Sequence, residues 1–364
     1  MIGPRPARPP GPHGSGLAGG IAAFDTVVVE EDRIAVRGWL VGLQHPIDRV
    51  RLVVDGAVVG EMAVFEREDV GRHFAEIAHA ARSGFDIAGA RPGNAGPLRI
   101  ELIGSSGGRD LVINEHYRPA SGAAEAVLPP AHLIWRVTNN PDEALFRDYG
   151  LTIAAQLLHA VRTHLPPTEA PRLLDWGCGP GRATQHLFAL WPQAQVSGCD
   201  LDAEAIAWAR ERMPGGSFHV TGAYPPLPFA DGAFDAVIAS SVMTHLTAAV
   251  QLDWLREIRR VLRPGGVFVA SVHGPFAARG IDAARAEELR RTGIVDWGPD
   301  PSLDGIAPDN FYRATLQTID YTYAAWGAVM PVVAYQEAGL TSFQDLVVLR
   351  HEPADRNWLR RLWR

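Results

Sequence analysis

The segment Leu173-Leu-Asp175-Trp-Gly177-Cys178-Gly179-Pro-Gly181-Arg182 joins an apolar run to a helical pattern, and it sets three glycines behind a carboxylate. Glycine has no Cβ, so a backbone of this kind turns sharply and comes close to a ligand. A pyrophosphate-binding fingerprint reads Gly-x-Gly-x-x-Gly, with the phosphates on a helix N-terminus. Here Arg182 stands where its third glycine would, and the spacing is Gly-x-Gly-x-Gly. Asp175, at the strand end, would repel a pyrophosphate and suits a ligand that carries a positive charge. Asp200, in Val196-Ser-Gly-Cys-Asp200-Leu201-Asp202, follows Gly181 at the ~20-residue spacing of an acidic residue that accepts from both ribose hydroxyls. Asp202 is placed as the N-cap of the next helix. Two histidines, His245 in Ser240-Ser-Val-Met-Thr-His and His273 in Ser271-Val-His-Gly, follow the ends of two further strands. Imidazole titrates near neutrality, so either is a candidate proton acceptor. The competing reading is a hydrogen bond to a loop carbonyl.

These residues need a scaffold that brings strand ends together. From Asp142 onwards strands and helices alternate. A helix carries Ile153, Leu157, Leu158 and Val161 on one face. Strand 172–176, helix 183–190, strand 195–199, helix 203–212 and strand 217–220 follow it. Strand 233–239, helix 248–262 and strand 267–272 complete the series. Such alternation predicts an α/β fold with a mostly parallel sheet, whose ligands lie beyond the carboxyl ends of its strands.

With these motifs in order, the region resembles the class I S-adenosylmethionine-dependent methyltransferases, whose first motif is an acidic residue followed by Gly-x-Gly-x-Gly. Leu227-Pro-Phe-Ala-Asp-Gly-Ala-Phe-Asp235 resembles the third and fourth strand region of that family. Val261-Leu-Arg-Pro-Gly-Gly266 resembles the turn before its fifth strand, and Pro331–Tyr335 with Gln344–Arg350 resembles its closing antiparallel hairpin. The resemblance covers roughly residues 150–350. It implies a Rossmann-like, seven-stranded, mostly parallel sheet that binds S-adenosyl-L-methionine. The implied cofactor residues are Asp175, Gly177, Cys178, Gly179, Gly181, Asp200, Leu201, Gly222, Ala223 and Ser240. Family members often carry Gly-Asp after the third strand to bind the adenine amino group; here the pair is Gly222-Ala223, so adenine needs backbone groups or another side chain. Methyl transfer is an in-line displacement in which positioning lowers much of the barrier. A base is required where a hydroxyl must lose its proton, and His245 and His273 are the catalytic candidates for that task. A small-molecule or glycan-type hydroxyl is the expected acceptor, with nitrogen and carbon left open.

Phe311, Tyr312, Tyr321, Tyr323 and Trp326 are read equally as an acceptor pocket or as ordinary packing, and Trp135 with Arg136 as a cap on the cofactor or a surface feature. Asp235 begins its strand at the wrong end for catalysis. Gly104-Ser-Ser-Gly-Gly108 matches a nucleophile elbow formally, but strand chemistry on both sides makes it a hairpin turn. No metal site is expected, and Cys178 and Cys199 should both be reduced.

Before this region the grammar differs. The first twenty residues hold five prolines and six glycines and are read as a flexible tail. Short apolar runs with close turn signals then predict a small all-β sandwich, including a hairpin with the two-residue turn Asp55-Gly56. Arg37-Gly-Trp39 and Ser83-Gly-Phe85 give it a likeness to β modules fused to bacterial glycosyltransferases and methyltransferases. The expected organisation is a tail over 1–21, a sandwich over 22–120, a linker and cap segment over 121–150, and a methyltransferase domain over 151–364. The alternative function is a non-catalytic S-adenosylmethionine-binding or assembly protein that acts through the sandwich.

The 364 residues carry 34 Lys+Arg against 41 Asp+Glu, a net charge of −7, which disfavours nucleic acid as a partner. No apolar stretch approaches the ~20 residues of a membrane span. Two cysteines and the absence of an apolar leader segment lead to a cytoplasmic expectation.

Overall fold

The computed structural model describes residues 20–92, 98–118 and 127–352. The N-terminal part is two four-stranded antiparallel sheets. One has the order β1 (Gly20–Val29), β2 (Arg33–Gly42), β6 (Arg82–Ala90), β5 (Phe65–Glu66), and the other β4 (Ala57–Ala63), β3 (Arg49–Val54), β7 (Leu98–Ser106), β8 (Arg109–Arg118). Alternating residues point inward, so Ile34, Val36 and Leu40 meet Val50, Leu52, Leu98, Ile100 and Leu102 in one core between the sheets. Asp55 and Gly56 both take positive φ (49° and 82°), which joins β3 to β4 by a tight turn. Gly20 and Ile21 correct the sequence reading of a tail: they pair with Gly42 and Val41, and Ile21 is buried. The rest of that tail lies outside the described residues. Between β5 and β6 lies the short helix α1 (Glu68–His73).

The remainder is built on a seven-stranded sheet of order β11 (Ser217–Val220), β10 (Gln195–Asp200), β9 (Arg172–Trp176), β12 (Phe234–Ala239), β13 (Leu262–Val272), β17 (Gln344–Arg350), β16 (Val332–Leu340). β9 to β13 run parallel, and β16 and β17 are antiparallel. Every residue of β12 is buried, as a central strand covered on both faces requires. The expected Pro-Gly turn is a bulge: pairing of β12 with β13 jumps from Leu262 to Val267, and Gly265 has φ 84°. Helices α2 (Ala131–Thr138), α3 (Glu143–His164), α4 (Thr184–Leu190), α5 (Ala203–Arg212), α6 (Ala248–Val261) and α7 (Ala283–Thr292) complete this part. α3 starts before residue 151, so the expected domain boundary there falls inside a helix whose start is held by Asp142 accepting from the Leu145 amide. A ribbon of β14 (Ile294–Pro299) and β15 (Arg313–Gln317), not foreseen from sequence, lies against the carboxyl ends of β12 and β13. The Gln317 amide donates to the His273 carbonyl, and the Thr315 hydroxyl to the Leu246 carbonyl.

The two parts touch through a small apolar cluster in which Ile21, Val41, Val70 and Ile77 meet Ala338 and Phe276. Gln44 donates to Glu337 at 3.0 Å across the same seam.

Candidate functional site

The glycine loop leaves β9 with positive φ at Gly177 (76°), Gly179 (54°) and Gly181 (88°). A Cβ on Gly177 would meet Val242 Cγ2 at 2.3 Å, and one on Gly179 would meet Val137 of α2 at 2.9 Å. Conformation and space both require glycine there. The loop is clipped to β10, since the amides of Gly177 and Cys178 donate to the Cys199 carbonyl. Cys178 and Cys199 are neighbouring, buried and free thiols.

Asp200 closes the loop from the other side. Its Oδ2 accepts from the Gly179 amide at 2.8 Å and its Oδ1 from the Asp202 amide at 2.9 Å. A carboxylate has about four acceptor positions, so room is left for two further donors. Burial raises the Asp200 pKa against these two bonds. Asp202 caps α5 by accepting from Glu204 and Ala205, and Arg136 of α2 donates to Asp202 at 2.9 Å and to Glu204. Arg136 therefore ties α2 over the loop. Trp135 is exposed and borders a cleft of about 470 Å³ with His132, Pro301, Asp304 and Ile306.

Asp175 is buried at 3% exposure, and its Oδ2 accepts from the Thr184 hydroxyl at 2.6 Å. Its Oδ1 has no hydrogen bond from the described residues. Burial pushes this carboxyl up to about 6. Such a group is relieved by a cation at the open oxygen.

Leu201 is partly buried beside Asp200, and Gly222 is exposed after β11. The Ala223 carbonyl is already taken by the Trp254 indole N–H at 3.2 Å. The Ser240 hydroxyl, at the end of β12, is buried without a partner. Ser241 holds φ at 58°, with its amide on Ser271 Oγ and its hydroxyl on Gln344. That bend leads into the turn Met243–His245.

The two histidines converge. Their ring centroids are 6.4 Å apart. His245 stacks on Tyr312 at 3.9 Å, and its Nδ1 lies 3.6 Å from Asp300 Oδ2 without a hydrogen bond. Burial drives His245 well below the usual imidazole range, with Asp300 opposing the shift. Burial also lowers His273, which Gln344 approaches at 3.4 Å and the Thr315 backbone holds. Both rings are neutral at pH 7 on these directions.

The aromatic cluster expected from sequence is divided. Tyr312 belongs to the site and Phe311 packs on Tyr224, whereas Trp326 is core, its indole donating to buried Gln251. Tyr323 stacks on Tyr335, whose hydroxyl donates to Asp345. Asp235 is structural, paired with Arg172 and Arg263 at the amino end of β12. Gly107 and Gly108 form the β7–β8 turn. Asp300 and Gln344 were missed, because nothing but fold position marks them. A second cleft of about 440 Å³, edged by Arg256, Arg259 and Arg260, opens at the opposite end of the sheet. Among the described residues, no three His, Cys, Asp or Glu gather as metal ligands, and no helix is long and apolar enough to cross a membrane.

A sheet with a tight glycine loop, an open buried carboxyl and a second carboxylate with spare acceptor positions fits S-adenosylmethionine. A family profile described as "Methyltransferase domain" matches residues 173–266. Trans-aconitate 2-methyltransferase of Methylobacterium nodulans is 36% identical over 221 residues, which is 55% of this chain and 78% of that protein. The same-named protein of Azoarcus is 37% identical over 39% of this chain and 58% of its own length. The chain spans 40–58% of the length of the first curated relatives it matches. Among solved structures, a methyltransferase from Mesorhizobium loti aligns over 54% of this chain and 97% of its own, with 21% identity and a TM-score of 0.41. The chain belongs to the S-adenosylmethionine-dependent methyltransferases.

Proposed function

We propose that this chain transfers a methyl group from S-adenosylmethionine to a hydroxyl of a small-molecule or glycan-type acceptor. The observation that carries this reading is the convergence of the His245 and His273 rings, 6.4 Å apart, beyond the ends of two adjacent parallel strands. S-adenosylmethionine supplies a methyl group already activated as a sulfonium. Asp200 would hold the nucleoside through its ribose hydroxyls and Asp175 the ammonium of its amino-acid end. His245 accepts the acceptor's proton, and Asp300 beside Nδ1 stabilises the imidazolium that forms. His273, held by Gln344 and the Thr315 backbone, sets the far wall. A hydroxyl is favoured over a carboxylate because Asp300 would repel an anionic acceptor.

Curated relatives include proteins named trans-aconitate 2-methyltransferase and fatty-acid O-methyltransferase. They motivate the second reading, a carboxylate acceptor. Methyl-labelled S-adenosylmethionine incubated with hydroxylated metabolites, glycosides, trans-aconitate and a fatty acid separates the two. Ether label survives mild alkali, and ester label is released as methanol. Alkali-labile product alone would sink the hydroxyl reading.

The N-terminal sheets supply part of the acceptor side. A run of rings leads from Trp39 and Phe74 to Phe276, then Phe343, then His273, with neighbouring centroids 5.5, 6.4, 6.1 and 5.7 Å apart. Phe343 is exposed at 48%. This favours a role in acceptor presentation over assembly alone.

A further inference from the structure

The loop that joins β16 to β17 combines an exposed ring with a strained backbone. It is a β-turn, closed by the Phe343 amide donating to the Leu340 carbonyl at 3.1 Å. Its two central residues, Thr341 and Ser342, have φ of 51° and 59°. Turns of this hand favour Asn and Gly, and a β-branched residue at positive φ is a steric outlier. Among the described residues seven non-glycines have positive φ, and four of them, Ser241, Ala338, Thr341 and Ser342, gather at this end of the sheet. Strain of this kind persists only where the surroundings over-determine it, and it clusters at functional sites. Three elements supply the constraint here. Gln156 of α3 accepts from the Thr341 amide at 2.9 Å, and Asp345 of β17 accepts from the Ala338 amide at 2.8 Å. The Ala22 amide of β1 donates to the Ser342 hydroxyl at 3.5 Å. Gly274, which follows His273, lies so close to the Asp345 carboxyl that a Cβ there would collide with it. One support thus fixes the turn and the histidine together.

What the strained turn presents is Phe343. Its ring is 48% exposed, and it meets His273 at 5.7 Å and Phe276 at 6.1 Å, both edge to face. Half of its surface therefore stays open beside an imidazole of the site. Burying that surface is favourable, and a ring that stacks on it adds direction to the gain. We infer that Phe343 is the platform on which the acceptor lies. The reacting hydroxyl is carried beside an apolar ring; that ring stacks on Phe343 while the hydroxyl faces His245 and His273. This rests on the acceptor reading above and narrows it to ringed acceptors. The shared chemistry is a ring with an apolar face, which an aryl group and a pyranose both offer.

The test is a ligand-observed NMR titration of the full chain, saturated with S-adenosylhomocysteine, with three probes. Phenyl glucopyranoside has an aryl and a sugar ring, methyl glucopyranoside the sugar ring alone, and glucitol neither. The wild type should bind the phenyl glucoside ~10-fold more tightly than glucitol, the upper end for one aromatic contact. A methyl glucoside that binds like the phenyl glucoside identifies the sugar as the stacked ring; one that binds like glucitol identifies the aryl group. Phe343→Ala should bind all three within ~2-fold of one another, at an unchanged melting midpoint. Phe343→Tyr should keep the wild-type order. Equal binding of the three probes by the wild type, or a preference that survives in Phe343→Ala, overturns the inference. A preference lost in both variants along with a fallen midpoint assigns the ring to packing and also overturns it. A ring preference without methyl transfer to any hydroxyl leaves the platform standing and removes the hydroxyl reading instead.

Discussion

Asp175 gives a prediction whose size follows from its burial. Burial lifts its carboxyl to about 6 in the folded protein, against ~3.9 for a free aspartate. Ionisation therefore opposes folding: stability of the free protein falls as pH rises from about 4 to about 6. The cofactor's ammonium reverses this by pairing with the ionised form. Between pH 7, where ~90% of Asp175 is ionised, and pH 5, where ~10% is, affinity for S-adenosylhomocysteine should drop ~10-fold, or ~1.4 kcal/mol. Asp200, also raised by burial, adds to the fall with the same sign. At pH 7, Asp175→Asn should weaken binding by ~10–100-fold, the range for a hydrogen bond to a charged group, and should remove most of the pH dependence. Calorimetry at pH 5, 6 and 7 in two buffers of different ionisation enthalpy would also count the proton released near pH 6. Affinity that is flat over this range, or a pH slope that survives in Asp175→Asn, would refute the pairing.

Four further outcomes are expected. His245→Gln should lower kcat on a hydroxyl acceptor by ~10²–10⁴ while S-adenosylhomocysteine binding stays unchanged; a loss of nucleoside binding instead would move His245 out of the acceptor site. Asp345, buried between the Tyr335 hydroxyl and the Ala338 amide, is pushed up to about 7. Its ionisation costs stability as pH rises from about 4 through 7, so thermal scans of Asp345→Asn should show a shallower decline over that window than the wild type. Gly177→Ala forces both a positive φ and a collision with Val242, and urea unfolding should show a loss of ~1–3 kcal/mol. Gly56→Ala, at φ 82° with open space around it, should lose less, because only the backbone is strained.

The parallel sheet was legible because its strands are short apolar runs, and β9, α5 and β11 have the bounds that their periodicity and punctuation predict. Asp202 was legible for the same local reason, its position one residue before a helix. Asp175, Asp200 and the glycines carry their spacing in one contiguous stretch. What escaped was set by distance in the chain. Asp300 reaches His245 from an insertion with no periodic pattern, and Gln344 reaches His273 from the last hairpin. Ribbon β14–β15 is held by contacts with the loops beyond β12 and β13, and no local propensity announces it. Arg182 was visible only as the residue that breaks a dinucleotide fingerprint. Trp326 looked like its aromatic neighbours in sequence, but a buried glutamine network claims it for the core.

The central claim is that the carboxyl ends of β9 and β10 bind S-adenosylmethionine. Titration of the full chain with S-adenosylmethionine, S-adenosylhomocysteine and NADH, repeated on Asp200→Ala, tests it most directly. The account predicts dissociation constants on the order of micromolar for the first two, lost in Asp200→Ala, and no binding of NADH. Binding of NADH, or no binding of either sulfur nucleoside, would contradict it.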